Sequence, residues 1–325
     1  MENNLIKDFI NKNFKGASVK KIEPDASNRT YYRVIIKKKS YILLDSKKEL
    51  KQFNSLLNVY EILNDLDISI PKIYDFDKNL GIAVLEDFGE KRFDKLIHKK
   101  DYCNILMKSA VDNLIEFKNS IKIKNESNIL VYNYKNFIQE ISEFVDWYLP
   151  FVLKKELKKS VIDNFYEIWT QKYDEIKLEL DTFSHKDFFC NNLFFLPDRK
   201  KHLKCGIIDY QDAIISDNAL DLVSLFEDSR RLIKNFNKDE LIEFYLQKTN
   251  KINQINNFYK KIDFIGAARQ TRILGRWIKL YKLNKKENYI QYIPSTWFWL
   301  EKNLQNDFLS KIRNFYNELV PVGKR

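Results

Sequence analysis

The stretch Ser184-His185-Lys186-Asp187-Phe188-Phe189-Cys190-Asn191-Asn192, followed downstream by Gly206-Ile207-Ile208-Asp209, constrains this chain more than any other. Asn192 opens the apolar run Leu193-Phe194-Phe195-Leu196, and Ile207-Ile208 is a second apolar run. Between them lies a stretch that opens with Pro197-Asp198-Arg199-Lys200-Lys201. Two short apolar runs around turn chemistry predict a β-hairpin, with Asn192 entering one strand and Asp209 leaving the other. An Asp and an Asn five positions apart on one tight loop can serve an acceptor and a cation together. Alone, H-x-D-x-x-x-x-N also describes an ordinary turn between a helix and a strand. The hairpin and its terminal Asp separate the two readings.

In that context the pattern is that of kinase-type phosphoryl transfer. Asp187 would accept the proton of a substrate hydroxyl. Asn192 and Asp209 would hold Mg²⁺ against the phosphates of ATP.

Composition narrows the setting. A chain of 325 residues with 44% hydrophobic residues is long enough for two domains with sizeable cores. No window approaches 18 uncharged apolar residues, so no membrane span is expected. Met1 to Phe14 mixes apolar with charged residues and lacks the apolar core of a signal peptide. Cys103, Cys190 and Cys205 show no metal spacing and no even disulfide count, which suits a reducing cytoplasm. Cys190 reads as a space-filler, not a nucleophile. The net charge of +11 raises nucleic-acid binding, but the lysines are scattered and no nucleic-acid signature accompanies them. Lys, Asn and Ile enrichment also follows from an A+T-rich genome. No nucleic-acid, membrane or obligate protein partner is expected.

The order of elements predicts an α+β chain of two lobes in the protein-kinase-like manner. Residues 1–90 form a small β-rich nucleotide-binding lobe, and residues 91–325 a larger, mostly helical catalytic and substrate-binding lobe. Strands are expected at Val19–Ile22, Tyr31–Ile36, Tyr41–Leu44, Ile73–Phe76 and Gly81–Leu85, as one five-stranded sheet. Pro24 to Asn28 is turn chemistry. Leu50, Phe53, Leu57, Tyr60 and Leu63 mark a helix over Lys48–Asp65. Further helices are expected at Tyr102–Phe117, Tyr134–Tyr148, Leu153–Leu180 with a possible break, Asn218–Asp228, Asp239–Lys248, Ile255–Leu280 and Thr296–Leu319. Glu86 to Gly89 is either a hinge whose backbone pairs with adenine or a plain strand end.

Four stretches carry a resemblance across nearly the whole chain. They are Asp25 to Val34, Leu85 to Gly89, Gly206 to Ala213 with Asp221 to Leu225, and Arg269 to Gly275 with Pro294 and Trp297. In these the chain resembles the aminoglycoside phosphotransferase-like superfamily, and within it the bacterial anomeric kinases of N-acetylmuramate and N-acetylglucosamine. Gln211-Asp212-Ala213 after the metal Asp sets this branch apart from protein kinases, which have Phe-Gly there. The resemblance implies Mg²⁺- and ATP-dependent phosphorylation of the anomeric hydroxyl of an N-acetylated amino sugar, a small-molecule substrate. It implies Asp187 as base, Asn192 and Asp209 as Mg²⁺ ligands, and Glu86 and Phe88 in the nucleotide hinge. Gln211, Asp212, Arg269 and Arg272 fall on the acceptor side. Asp221 matches an Asp that braces the catalytic loop through backbone N–H groups, or it caps the helix that follows.

There is one departure. The third strand, Tyr41-Ile42-Leu43-Leu44-Asp45, carries no Lys to grip the phosphates. That role falls to Ser27, Arg29 or Arg33, unless Arg29 and Arg33 are solvated strand charges. The missing Lys also leaves open a catalytically silent nucleotide-binding protein. An aminoglycoside, choline or an amino acid is the alternative acceptor, although the basic C-terminal half suits a polycation poorly. His98 and His202 read as solvated loop histidines, and Trp297-Phe298-Trp299 as core packing. Arg269, Arg272 and Arg276 share a helical face, either a solvated stripe or an anion site.

Overall fold

The structure, a computed structural model, describes residues 9–22, 29–120 and 129–325. In chain order these form β1 (Ser18–Ile22), β2 (Thr30–Ile36), β3 (Lys39–Asp45), α1 (Leu50–Asn64), β4 (Ile73–Asp77) and β5 (Ile82–Glu86). Then come α2 (Phe93–Leu96), α3 (Lys100–Ser120), β6 (Leu130–Val131), α4 (Tyr134–Glu143), α5 (Leu149–Leu153), α6 (Lys159–Ile176) and β7 (Thr182–Ser184). The chain continues through β8 (Leu193–Phe195), β9 (Cys205–Ile207), β10 (Ile214–Ser216), α7 (Leu220–Phe226) and α8 (Lys238–Lys248). It ends with α9 (Ile255–Asn284), α10 (Ile293–Asn303) and α11 (Ser310–Leu319).

Contacts divide the described residues into two compact units. The first comprises the chain up to Leu96 together with Asn191–Asp212. The second comprises Ile97–Cys190 and Ala213–Arg325.

In the first unit, five antiparallel strands run in the order β1-β2-β3-β5-β4, as the alternating apolar runs predict. The β2–β3 hairpin turns at Lys37 and Lys38, both with positive φ, the backbone that a tight right-twisted hairpin requires. Val34, Leu43, Ile82 and Val84 form a buried cluster on the sheet. Helix α1 buries Phe53, Leu56, Leu57, Val59 and Leu63. Leu50, expected on that face, is 40% exposed at the first turn, and Leu56 and Val59 take its share. The expected hairpin forms as β8–β9, with Leu193 opposite Ile207. It docks within this unit by bridges between Ser69 and Gly206 and between Arg92 and Phe194.

In the second unit, α9 is the central element. Its 30 residues span about 45 Å at the helical rise. It buries Phe258, Ile262, Phe264, Ile265, Leu274 and Ile278, and every residue from Phe264 to Thr271 is buried, so its middle is enclosed all round. The helix expected over Tyr134–Tyr148 runs regularly only to Glu143. A π-type turn over Phe144–Tyr148 follows, and then α5. The expected Thr296–Leu319 helix is two, α10 and α11, because Asn306 caps a new turn by accepting from the Phe308 N–H. Three strands unforeseen in the sequence form a small sheet, β6-β10-β7. Each has two or three residues, too few for a period to register. Trp297 and Trp299 are buried while Phe298 is exposed, as core packing requires. Trp297 donates to the Tyr148 hydroxyl at 2.6 Å.

Helices α5, α6 and α9 each end on a lysine in the left-handed conformation: Lys154, Lys177 and Lys285, with φ of 53°, 52° and 53°. Glycine is the usual residue there, since it has no Cβ to clash.

Glycine is needed for a different reason at position 275. A Cβ there would lie 2.1 Å from the Glu143 carbonyl oxygen, where α9 crosses the end of α4. Backbone cannot yield as a flexible side chain does. Gly275→Ala is therefore expected to destabilise the chain by about 2 kcal/mol or more. The check is chemical denaturation; a change below about 0.5 kcal/mol would contradict this packing.

Candidate active site

The first unit gathers the residues at the open end of the β8–β9 hairpin. The Ile208 N–H donates to the Asn192 carbonyl at 3.0 Å, so Asn192 and the residue before Asp209 face each other across the hairpin. Asp209 itself has φ of 67°. That left-handed backbone is uncommon for a residue with a Cβ and turns the chain sharply out of the strand. A short helical turn, Tyr210–Asp212, follows and packs on α1. Ser55 of α1 donates to the Gln211 carbonyl at 2.6 Å. Gln211 is 3% exposed, and its amide donates to the carboxylates of Asp209 and Asp212, both at 3.1 Å. Asp212 is exposed.

Arg29 reaches the same carboxylate. Its Nη2 lies 2.8 Å from Asp209 Oδ1, and its Nε lies 3.5 Å from Glu49 Oε2. The residue is 7% exposed, so it is no solvated strand charge. Burial works against its charge, but Asp209, Tyr31 and Glu49 outweigh burial and hold its pKa up. Arg33 is committed elsewhere. It pairs with Asp87 at 2.7 Å and with Glu90, and donates to the Gly89 carbonyl at 3.0 Å. Ser27 and the turn around it lie outside the described residues.

Glu86 closes β5. Its N–H donates to the Lys72 carbonyl, and its carboxylate pairs with Arg199. The Phe88 ring packs on Phe194, with centroids 6.0 Å apart, and over Gly206. A Cβ at 206 would lie 2.7 Å from that ring, which accounts for the glycine. His202 is not a solvated loop residue, contrary to expectation. Its ring reaches the Asp67 carbonyl at 2.6 Å and the Asp67 carboxylate at 3.3 Å, and only 13% of the side chain is exposed.

The second unit holds Asp187. Strand β7 ends at Ser184, whose hydroxyl meets that of Ser216 on β10 at 2.7 Å. The chain then turns through Lys186, at φ of 76°. Asp221, in the first turn of α7, accepts from the His185 and Lys186 N–H groups at 2.6 Å and 2.9 Å. Of its two readings the brace is the one observed. Ala219 holds the cap position of that helix, and no side chain caps it. Cys190 is a fully buried free thiol, in keeping with a space-filling role.

Around Asp187 the field is positive. Burial opposes its charge, yet Arg272, Arg269, His185 and Lys186 together hold its carboxyl below the ordinary value. It is therefore an ionised acceptor at neutral pH. Arg269 and Arg272 are not a solvated stripe. Arg269 is 8% exposed, and burial, followed by repulsion from Arg272, brings its pKa down to about 10. Its terminal nitrogens reach only neutral partners, the Ser224 hydroxyl at 3.2 Å and the Glu227 carbonyl at 3.4 Å. Arg272 lies 3.6 Å from Glu140, which also pairs with Lys186 at 2.7 Å and accepts from Tyr132 at 3.0 Å. Arg276, the third of the row, is 44% exposed in its side chain and pairs with Glu143.

Next to Asp187 in sequence, Lys186 lines a cavity of about 600 Å³, its open mouth included, together with Tyr132, Glu140, Arg269 and Arg272. Lys186, Glu140, Arg269 and Arg272 supply the polar wall, and Phe137 and Phe264 belong to the apolar one. The sequence motif pointed to Asp187. Glu140 and Tyr132 were not foreseen, since nothing in their local pattern marks them.

The two units thus share out the residues read from the sequence. Arg29, Glu86, Phe88, Asn192, Asp209, Gln211 and Asp212 belong to the first, and Asp187, Arg269 and Arg272 to the second. Carboxylate and amide oxygens, as in Asp209 and Asn192, are the hard donors that Mg²⁺ takes alongside phosphate and water. The residues present therefore fit that ion. Among the described residues, no group of three or more His, Cys, Asp or Glu side chains forms a metal cluster.

The fold and motif are those of a phosphotransferase. The chain belongs to the ecdysteroid kinase-like family, whose model matches residues 45–257, and it is a small-molecule kinase. It is 25% identical to an N-acetylmuramate/N-acetylglucosamine kinase of Caulobacter vibrioides, over 93% of this chain and 92% of that one. A kinase of the same name from Neisseria meningitidis is 23% identical, over 92% and 86%. Among solved structures, the choline kinase LicA of Streptococcus pneumoniae superposes with a TM-score of 0.64 at 18% identity, covering 93% of this chain and 99% of that one. The ADP-bound aminoglycoside phosphotransferase APH(2'')-Ib gives 0.63 at 17%, covering 90% and 96%. These likenesses establish the protein-kinase-like fold. No helix among the described residues is long and apolar enough to cross a membrane.

The brace at Asp221 has a pH signature. Burial, the dominant cause, pushes its carboxyl up to about 6, against the donors from His185 and Lys186. The folded chain thus binds this proton more tightly than the unfolded chain, whose carboxyl keeps the ordinary value of 3.8. Its contribution to stability is greatest below that value and is lost as pH rises to about 6. Protonation also weakens an acceptor that two N–H groups share. Turnover is expected to fall below about pH 6. Asp221→Asn should abolish that limb and lower turnover about tenfold or more across the range, because the loop loses its acceptor. Denaturation midpoints and turnover from pH 4 to pH 8 check both; an unchanged acid limb in the variant would reject the assignment.

Proposed function

We propose that this chain transfers the terminal phosphate of ATP, with Mg²⁺, to the anomeric hydroxyl of an N-acetylated amino sugar. One observation carries the reading: an ionised Asp187, held on a braced loop, beside a cavity whose polar wall is Arg269, Arg272, Lys186 and Glu140. The names of the curated relatives support the acceptor class. Solved structures of like fold that hold ADP, GDP or AMP support a nucleotide donor.

In this reading Asp187 accepts the proton of the attacking hydroxyl, which needs a carboxylate that stays ionised. Asn192 and Asp209 hold Mg²⁺, and Gln211 keeps the Asp209 carboxylate in place. Bound Mg²⁺ and ATP supply the phosphoryl group and neutralise its charge. Ser27, Arg29 and the Glu86–Gly89 segment with Phe88 form the nucleotide side. Arg269 and Arg272 face the acceptor, with Asp212 at the surface beside them in role. A guanidinium pair repels a polycation, which argues against an aminoglycoside acceptor.

ADP release tests the reading directly. Turnover is expected with N-acetylglucosamine or N-acetylmuramate and none with their 1-O-methyl glycosides, which lack the reacting hydroxyl. A methyl glycoside turning over as fast as its free sugar would move the phosphate to another hydroxyl. Turnover with choline or a kanamycin-like amine alone would replace the acceptor class.

Asp187→Asn should lower turnover by about 10²–10⁴-fold with little effect on ATP affinity. The loss should sit at the low end, since an anomeric hydroxyl is more acidic than an ordinary alcohol. Asp209→Ala should abolish the Mg²⁺-dependent part of ATP binding, as read by calorimetry with and without the ion.

A further inference from the structure

Kinase-type chemistry places a cation on the nucleotide phosphates, commonly a lysine on the third strand paired with a helix glutamate. Strand β3 has none within Tyr41–Asp45, and Lys39 at its first position is exposed at the hairpin turn. Three observations narrow the search for a replacement. Arg33, the nearest alternative on the sheet, is held by Asp87, Glu90 and the Gly89 carbonyl. Arg29, just ahead of β2, is buried and lies between two carboxylates on separate elements, Glu49 ahead of α1 and Asp209 after β9. Its buried Nε has no hydrogen-bond partner among the described residues, the Glu49 carboxylate lying 3.5 Å away, so the guanidinium is not fully committed. All of these residues belong to the first unit.

We infer that Arg29 supplies the phosphate-contacting charge that β3 lacks, and that in the nucleotide-free chain it occupies Asp209 in place of the metal. The inference rests on the reading of Asp209 as a Mg²⁺ ligand. Glu49 plays the part of the helix glutamate and keeps the guanidinium from leaving with Asp209 when that carboxylate turns to the ion. A guanidinium suits this exchange. It presents two edges, one for an orienting carboxylate and one for phosphate oxygens, which a lysine point charge cannot do. The arrangement also spares the chain a bare, partly buried carboxylate while no metal is bound.

A cation that competes with the metal and assists the nucleotide has an opposite-signed signature. A merely structural Arg29 would weaken both ligands together. Calorimetry with MgATP and with metal-free ATP, and titration with Mn²⁺ alone read by paramagnetic resonance, are done on the full chain, Arg29→Gln and Arg29→Lys. In Arg29→Gln, MgATP and metal-free ATP should each bind about tenfold or more weakly, and Mn²⁺ alone about threefold or more tightly. Arg29→Lys, which keeps the charge and guards against loss of folding, should recover most of the ATP affinity but not the pairing with Glu49. Unchanged ATP affinity in Arg29→Gln would overturn the inference, as would a parallel loss of ATP and Mn²⁺ binding. If ATP binding by the unaltered chain shows no dependence on the metal, the reading of Asp209 fails, and this inference with it. Metal-dependent ATP binding that ignores Arg29 rejects this inference alone.

Discussion

One buried carboxylate governs the shape of the loop that carries Asp187. Asp221 accepts two consecutive backbone N–H groups, from His185 and Lys186, and the chain then turns at Lys186 in a left-handed backbone. That turn sets where Asp187 begins. The arrangement rests on short elements: a three-residue strand before the loop, a serine pair tying it to β10, and the first turn of α7. None is stable alone. Packing supports them: Phe183 of β7 meets Phe117 of α3 with ring centroids 5.1 Å apart, and α7 packs on α9.

The net charge of +11 looks at first like surface composition. Some of the basic residues are nevertheless internal, paired with carboxylates, and add nothing to that net. Lys261, 3% exposed, pairs with Asp217 and Glu179. Arg29 and Arg33 are tied to carboxylates of the first unit. Removing one partner from such a buried pair costs far more than the pair is worth at the surface. Arg269 departs from the pattern, with neutral oxygens as its hydrogen-bond partners and Arg272 close by. Its charge is supported at longer range by Asp187, Asp228 and Glu227.

How far these features were legible depended on their range along the chain. Strands β1 to β5 and the β8–β9 hairpin announce themselves by alternation and turn residues, and α1 by its period. So does the Asp187, Asn192, Asp209 motif, because its spacing lies within one loop and one hairpin. The π-type turn at Phe144–Tyr148 leaves no such trace, since it depends on how α9 crosses at Gly275. Strands β6, β7 and β10 are too short to carry a period. Glu140 reads as an ordinary polar residue on an amphipathic helix. Only the fold brings Lys186 and Arg272 to it from elements far apart in sequence. His202 was misread for the same reason, its partner Asp67 being distant along the chain.

Among the described residues, nine without glycine's freedom adopt positive φ, and seven of them are lysines. They divide by location. Lys154, Lys177 and Lys285 terminate helices, where the strain serves nothing beyond stopping the helix. Lys186 precedes Asp187 on its loop, and Asp209 ends the β8–β9 hairpin. A glycine would relieve either kind by roughly the same fraction of about 1 kcal/mol, with opposite consequences. At the helix ends it would raise the unfolding threshold at no cost to chemistry. In the two turns it would free the backbone beside Asp187 and at Asp209. The chain therefore holds a reserve of thermal tolerance at its periphery that evolution or an engineer can draw on one position at a time, without touching the rigidity of its centre.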